Sequence, residues 1–171
     1  IERCNALSRK VCAEIMPVED LQETVWQIRQ EKGYSGLVKF FTYGVISASF
    51  SVFFGGTWAD GVAAFLCGLL LYAAVELCTR LRLQRIILNI VCSALVGLGA
   101  VLLTSLGLGQ SVDKIIIGNI MLLIPGIALT TSVRDMISGD TISGLLGLCE
   151  GLIRALGVAV GFALVLWKFP V

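Results

Sequence analysis

The stretch GNIMLLIPGIALTTSVRDMISGD, Gly118 to Asp140, decides the fold. It is oily and long enough to supply most of a membrane-crossing helix, yet Pro-Gly stands in its middle. Pro125 carries no backbone N–H, so the carbonyl of Met121 loses its helical partner, and the ring presses on the preceding turn. Gly126 adds backbone freedom at the same point. The spacing predicts a span that is kinked or interrupted near its middle, which a plain anchor does not need. Asn119 precedes the break, and Thr130, Thr131 and Ser132 follow it. In many transporters, freed carbonyls and helix ends inside the membrane hold ions and polar substrate groups. The competing reading is local: Thr and Ser hydroxyls bond back to their own helix. Arg134 and Asp135 then lead into a tight connection, where they suit a cytoplasmic mouth.

Outward from this stretch the chain reads as membrane throughout. Its 171 residues are 57% apolar and 15% charged, with a mean hydropathy of +0.91. A soluble domain carries about 25% charged residues, and a small one cannot hide this much apolar surface. No Asp, Glu, Lys or Arg occurs from Phe40 to Ala59, Gly61 to Val75, Ile86 to Val112 or Ile115 to Val133. A further stretch, Thr141 to Trp167, contains only Glu150 and Arg154. A spanning helix needs about 20 mostly apolar residues. Five spans are expected, near 37–55, 60–79, 86–106, 114–132 and 141–167. They must be helices, because the alternation of a barrel strand is absent and lipid tolerates no unpaired backbone. The expected fold is all-α: five transmembrane helices (37–171) behind a short cytoplasmic helical hairpin (1–36).

The lead-in is polar and favours helix. Ile1, Leu7, Val11 and Ile15 fall at approximate helical spacing, Pro17 breaks the chain, and Val18, Leu21, Val25 and Ile28 share the next face. Gly33 is the expected stop. Basic residues set the orientation. Arg3, Arg9, Lys10, Arg29, Lys32, Lys39, Arg80, Arg82, Arg85 and Arg134 fall on one side, against Lys114 and Lys168 on the other. The positive-inside rule puts the N-terminus in the cytoplasm and the C-terminus outside.

With net charge +1, nothing points to nucleic acid. No cofactor or metal is indicated: the chain has no His, and Cys4, Cys12, Cys67, Cys78, Cys92 and Cys149 form no CxxC pair. The start at Ile1 rather than Met suggests a processed product or further chain upstream.

The fifth span concentrates the polar signal. At about 100° per residue, Gly144, Gly147, Gly151, Gly157, Gly161, Glu150 and Arg154 fall within an arc of about 140°. That face is expected to pack on a helix or line a cavity, since a charge facing lipid at mid-membrane costs at least about 2.5 kcal/mol. Glu150 and Arg154, four apart, can pair. They are either a packing lock or part of a transport path in which Glu150 exchanges a proton. Asp140 suits the N-cap of this span, ahead of Ser143 and Gly144. Asp60 opens the second span as a cap or outer gate, and Glu76 forms a membrane-edge pair with Arg80.

FFGGTWADG (53–61), GNIMLLIPGIALTTSVRDMISGDTISGLLGLCEGL (118–152) and the lead-in IERCNALSRKVCAEIMPVEDL resemble the threonine/serine exporter family. The matching positions are Gly55, Gly56, Asp60, Pro125, Gly126, Thr130, Arg134, Asp135, Gly139, Asp140, Ser143, Gly144 and Glu150. The resemblance implies proton-coupled efflux of small polar metabolites such as threonine and serine, from a bacterial plasma membrane. Its two-component members are linked to dicarboxylate export, including succinate. It also implies a ten-span architecture, so a second five-span half and an oligomer are expected partners beside the lipid bilayer. The resemblance implies a soluble segment upstream of Ile1, and one departure stands out: Gly147 replaces a basic residue three before the glutamate, with Arg154 one turn beyond it.

Three classes remain. A transporter half would bind substrate at Asn119, Pro125, Gly126, Thr130, Thr131, Arg134, Asp135, Glu150 and Arg154. A structural subunit would brace a partner through its glycine faces, and a passive pore would share the same polar path. An intramembrane enzyme is disfavoured, because a Ser nucleophile finds no His and only one acid lies clearly within a span.

Overall fold

The computed structural model describes residues 2–13, 17–30 and 34–169, and among these it contains eight α-helices and no strand. The chain divides into two compact units, Ile1–Ser35 and Gly36–Val171.

In the first unit, α1 (Glu2–Ala13) and α2 (Val18–Gln30) touch one another. Leu7, Val11, Leu21, Val25 and Ile28 line the groove they share. The Pro17 carbonyl accepts the Leu21 N–H at 3.1 Å, which starts α2. Glu19 and Asp20 occupy its first turn, where the helix dipole favours acids. Ile1, Ile15 and the expected stop at Gly33 lie outside the described residues.

The second unit holds α3 (Gly36–Phe53), α4 (Trp58–Arg80), α5 (Arg85–Ser105), α6 (Val112–Leu123), α7 (Gly126–Ile137) and α8 (Thr141–Lys168). Helices α3, α4, α5 and α8 are each long and apolar enough to cross a membrane. The expected fourth span is two helices, α6 and α7, bent by 54° across the break. The unit therefore has four candidate spans, and up to five when the bent pair counts as one.

Burial follows the logic of lipid rather than water. Large apolar side chains such as Leu66, Leu102, Leu156 and Leu164 face outward, while Ala63, Ala64, Cys67 and Ala100 are buried. Small residues at helix contacts let backbones approach closely where no hydrophobic effect drives them together. Helix α4 packs between α3 and α5, and α6 contacts α3, α4 and α5. Helix α7 touches only α8 among the described elements.

The break has a simple cause. The Ile124 N–H closes α6 on the Ile120 carbonyl at 3.0 Å. Pro125 offers no donor, and the Gly126 N–H reaches back only to the Ile124 carbonyl, at 2.8 Å. Helical bonding resumes with Leu129 N–H to the Pro125 carbonyl at 3.0 Å. The first turn of α7 has no side-chain cap.

Helix α8 divides its glycines between two neighbours. A side chain on Gly144 would meet the Ser132 carbonyl and Met136 of α7, and one on Gly151 would meet Leu129 of α7. A side chain on Gly161 would instead meet Ser93 and the Ile90 carbonyl of α5, and Gly157 lies against Ile86. Ile86 is the second residue of α5, so the turns of α8 before Gly157 run past the start of that helix. Glu150 lies there.

Candidate functional site

A cleft of about 510 Å³ opens where the bent pair leaves its neighbours. Leu122, Leu123, Ile124 and Pro125 form one wall, at the broken end of α6. Leu88 and Asn89 of α5, Thr79 at the end of α4, Leu83 and Arg85 form the other, and Arg154 of α8 completes it. Among the described residues, Arg85 and Arg154 are the only ionisable ones in this lining.

Arg154 is held in two ways. Its guanidinium pairs with Glu150 one turn earlier, and its main-chain carbonyl accepts the Asn89 Nδ2 hydrogen at 3.3 Å. The partners differ in setting: the Arg154 side chain is 19% exposed, that of Glu150 65%. The expectation that one face would enclose both ionisable groups therefore holds for Arg154 only. Glu150 shares the helical bearing of Gly157 and Gly161, about two and three turns before them, and its side chain is largely uncovered by the described residues.

The other expected site residues separate into groups. Pro125 lines the cleft, whereas Gly126 borders open space. Thr130 donates to the Gly126 carbonyl at 2.9 Å, Thr131 to the Ile127 carbonyl at 2.9 Å, and Ser132 to the Ala128 carbonyl at 2.7 Å. These hydroxyls serve their own helix, and Thr130 and Thr131 are exposed rather than gathered at the cleft. Arg134 is exposed and Asp135 half-buried further along α7.

Asn119 is fully buried and away from the cleft. It accepts the Ser47 hydroxyl at 3.0 Å and donates to the carbonyls of Ile115 at 2.9 Å and Ala64 at 3.4 Å, joining α3, α4 and α6. Asp60 is also fully buried. Its Oδ2 accepts the backbone N–H and the hydroxyl of Thr57, each at 2.8 Å, as part of a capping box. Its Oδ1 accepts the N–H groups of Gln110 at 2.6 Å and Ser111 at 2.9 Å. Glu76 and Arg80 pair at 3.1 Å on an exposed surface. Asp140 caps α8 through the Ser143 N–H at 3.3 Å, and Gly144, one residue later, lies against the Ser132 carbonyl of α7.

Reading the sequence for charged residues missed Asn89, Arg85 and Thr79. Asn89 carried the clearest signal, as a lone amide in the run Ile86 to Val91.

The model of the family described as "Putative threonine/serine exporter" matches residues 1–167. The chain belongs to the threonine/serine exporter family. The match covers both compact units and every helix but the last residue of α8. No curated protein and no solved structure matches the chain. Membership in this exporter family and the apolar helices together make the chain an integral membrane protein of transport.

Proposed function

We propose that the chain is one half of an exporter for small polar metabolites, threonine and serine or a dicarboxylate such as succinate, driven by the proton gradient. The bent α6–α7 pair counts as one crossing, giving five. The Ile1–Ser35 unit is a helical hairpin in the cytoplasm, and the C-terminus lies outside a bacterial plasma membrane. A second five-span chain closes the path on the side where α7 has no neighbour but α8.

The single observation that carries this reading is the broken helix beside Arg154. A membrane protein that only braces a partner has no need of an interrupted span walling a cleft with a guanidinium in it. Substrate sits near Pro125 and Gly126, and Arg154 supplies its charge partner. Glu150 carries the proton, and the partner half covers its exposed face. Arg134 and Asp135 stand at the cytoplasmic mouth, with Thr130 and Thr131 above them. Asn119, Asp60, Glu76, Asp140, Ser143 and Gly144 hold the helices that frame the path.

The test is reconstitution with and without the second half, followed by efflux of labelled threonine, serine and succinate from proteoliposomes. Efflux of at least one substrate, requiring both halves and accelerated by a pH gradient, is expected. No efflux of any of the three from the complete pair would end the transport reading.

One observation favours a structural subunit instead: the hydroxyls of Thr130, Thr131 and Ser132 are spent on their own helix. In a background freed of native cysteines, Thr130→Cys and Thr131→Cys should react with a soluble thiol reagent if the path is wet. Protection of both from either side favours the scaffold.

A further inference from the structure

We infer that the cleft beside the break is a carboxylate subsite, in which Arg154 and Arg85 hold the anionic group of the substrate and Asn89 orients it. The inference rests on the transport reading and adds the chemical class that the site takes.

The electrostatics are one-sided. The lining includes two arginines and, among the described residues, no acid. The N-terminus of α7, with no side-chain cap, begins beside Ile124 and Pro125 and adds the positive end of a helix dipole. Low-dielectric walls of Leu83, Leu88, Leu122 and Leu123 strengthen any charge interaction formed between them. Glu150 offsets part of the Arg154 charge, but from outside the cleft, and it engages one of the five N–H donors of that guanidinium. The remaining donors match the two oxygens of a carboxylate.

Asn89 gives the site its polar orientation. It is about nine-tenths buried, and its Nδ2 is committed to the Arg154 carbonyl. Its Oδ1 has no hydrogen-bond partner among the described residues, so it can accept from a group that enters beside Arg154. The Leu122 carbonyl in the lining has also lost its helical donor, because the Gly126 N–H turns to the Ile124 carbonyl instead, and it is a second acceptor at the broken end. A carboxylate on the guanidinium thus leaves acceptors nearby for an ammonium or hydroxyl group. Alternatively, Arg85 takes a second carboxylate. These are two sources of the same chemistry, an amino acid or a dicarboxylate, and binding distinguishes them.

The experiment measures binding of radiolabelled threonine and succinate to the full chain in nanodiscs, with threoninol, which lacks the carboxylate, as competitor. At least one carboxylate should bind, and threoninol should compete at least tenfold more weakly than threonine. Arg154→Gln should weaken binding at least tenfold, with Arg154→Lys between it and the wild type. Asn89→Leu should weaken it severalfold. Arg85→Gln should affect succinate more than threonine if the dicarboxylate is the ligand, and both alike if it is not. Lys114→Gln, at the ion pair with Asp113 at the start of α6 and outside the cleft lining, should change nothing. Unchanged affinity in a monodisperse Arg154→Lys and Asn89→Leu, no carboxylate binding at all, or equal competition by threoninol would each overturn the subsite. Binding needs no transport: retained binding without efflux removes the transport reading alone, and efflux with unchanged KM in Arg154→Gln removes the subsite alone.

Discussion

The Asp60 carboxylate accepts the Gln110 backbone N–H at 2.6 Å, joining the start of α4 to the loop before α6 across fifty residues of chain. The same side chain caps its own helix through Thr57 and also takes the Ser111 N–H. Four N–H and O–H donors converge on one buried carboxylate, so it ties the start of α4 to the loop before α6.

Asp60→Ala removes all four acceptor contacts and takes the acceptor from the Gln110 and Ser111 N–H groups. A hydrogen bond to a charged group is worth about 1.5–3 kcal/mol, so the detergent-solubilised protein should lose several degrees of melting temperature. Asp60→Asn keeps one acceptor oxygen and should fall between. The surviving folded fraction should transport with unchanged KM. A changed KM with normal stability would restore the gate reading.

Glycine substitutions separate helix contact from open space. A Cβ at Gly161 would lie 2.5 Å from the Ile90 carbonyl oxygen, a backbone atom that cannot rotate away. At Gly126 nothing lies within 4 Å. Gly161→Ala should therefore cost about 1–3 kcal/mol, the range for overpacking, while Gly126→Ala leaves thermal unfolding nearly untouched. Equal effects would mean that α5 and α8 are not in close contact.

Much of the fold was legible because the membrane writes itself into composition. Gaps between charged residues located the crossings to within a few positions, and Pro125 located the break because the missing N–H is a local fact. Asp140 read as a cap for the same reason. The site was harder. The helical arc placed Glu150 correctly among the glycines but could not say that α5 begins only at Arg85, so that the bearing is vacant at Glu150 and filled at Gly161. Asn119 read as a path residue and Asp60 as a cap or outer gate, and their partners, Ser47 and Gln110, lie too far off in sequence to be read beside them. The cleft depends on two connections, α4–α5 and α6–α7, meeting beside Arg154, and no window of sequence contains it.

Pro125→Ala tests whether the break matters. It restores a backbone donor to the Met121 carbonyl and removes the ring, so α6 and α7 should straighten from 54° toward one continuous helix. Spin labels on α6 and α7 should report a longer separation. The cleft loses a wall, so efflux should fall at least tenfold while membrane yield stays normal. A straightened helix with undiminished efflux would show that the bend serves only to seat α7 on α8.

The Glu150–Arg154 pair predicts opposite consequences for its two members. Glu150 is largely exposed in this chain, so Glu150→Gln should shift melting by no more than about 2 °C, as for surface substitutions generally. Its effect should appear in function: with no carboxylate to protonate, the pH dependence of efflux should flatten. Arg154 is mostly covered and anchored at both ends, so Arg154→Gln should lower stability as well as binding. Adding Arg154→Gln to Glu150→Gln should not restore pH dependence, because the proton site itself is gone. If Glu150→Gln leaves proton-coupled efflux intact at every pH, the coupling proton is carried elsewhere and Glu150 is only the counter-charge that keeps Arg154 in place.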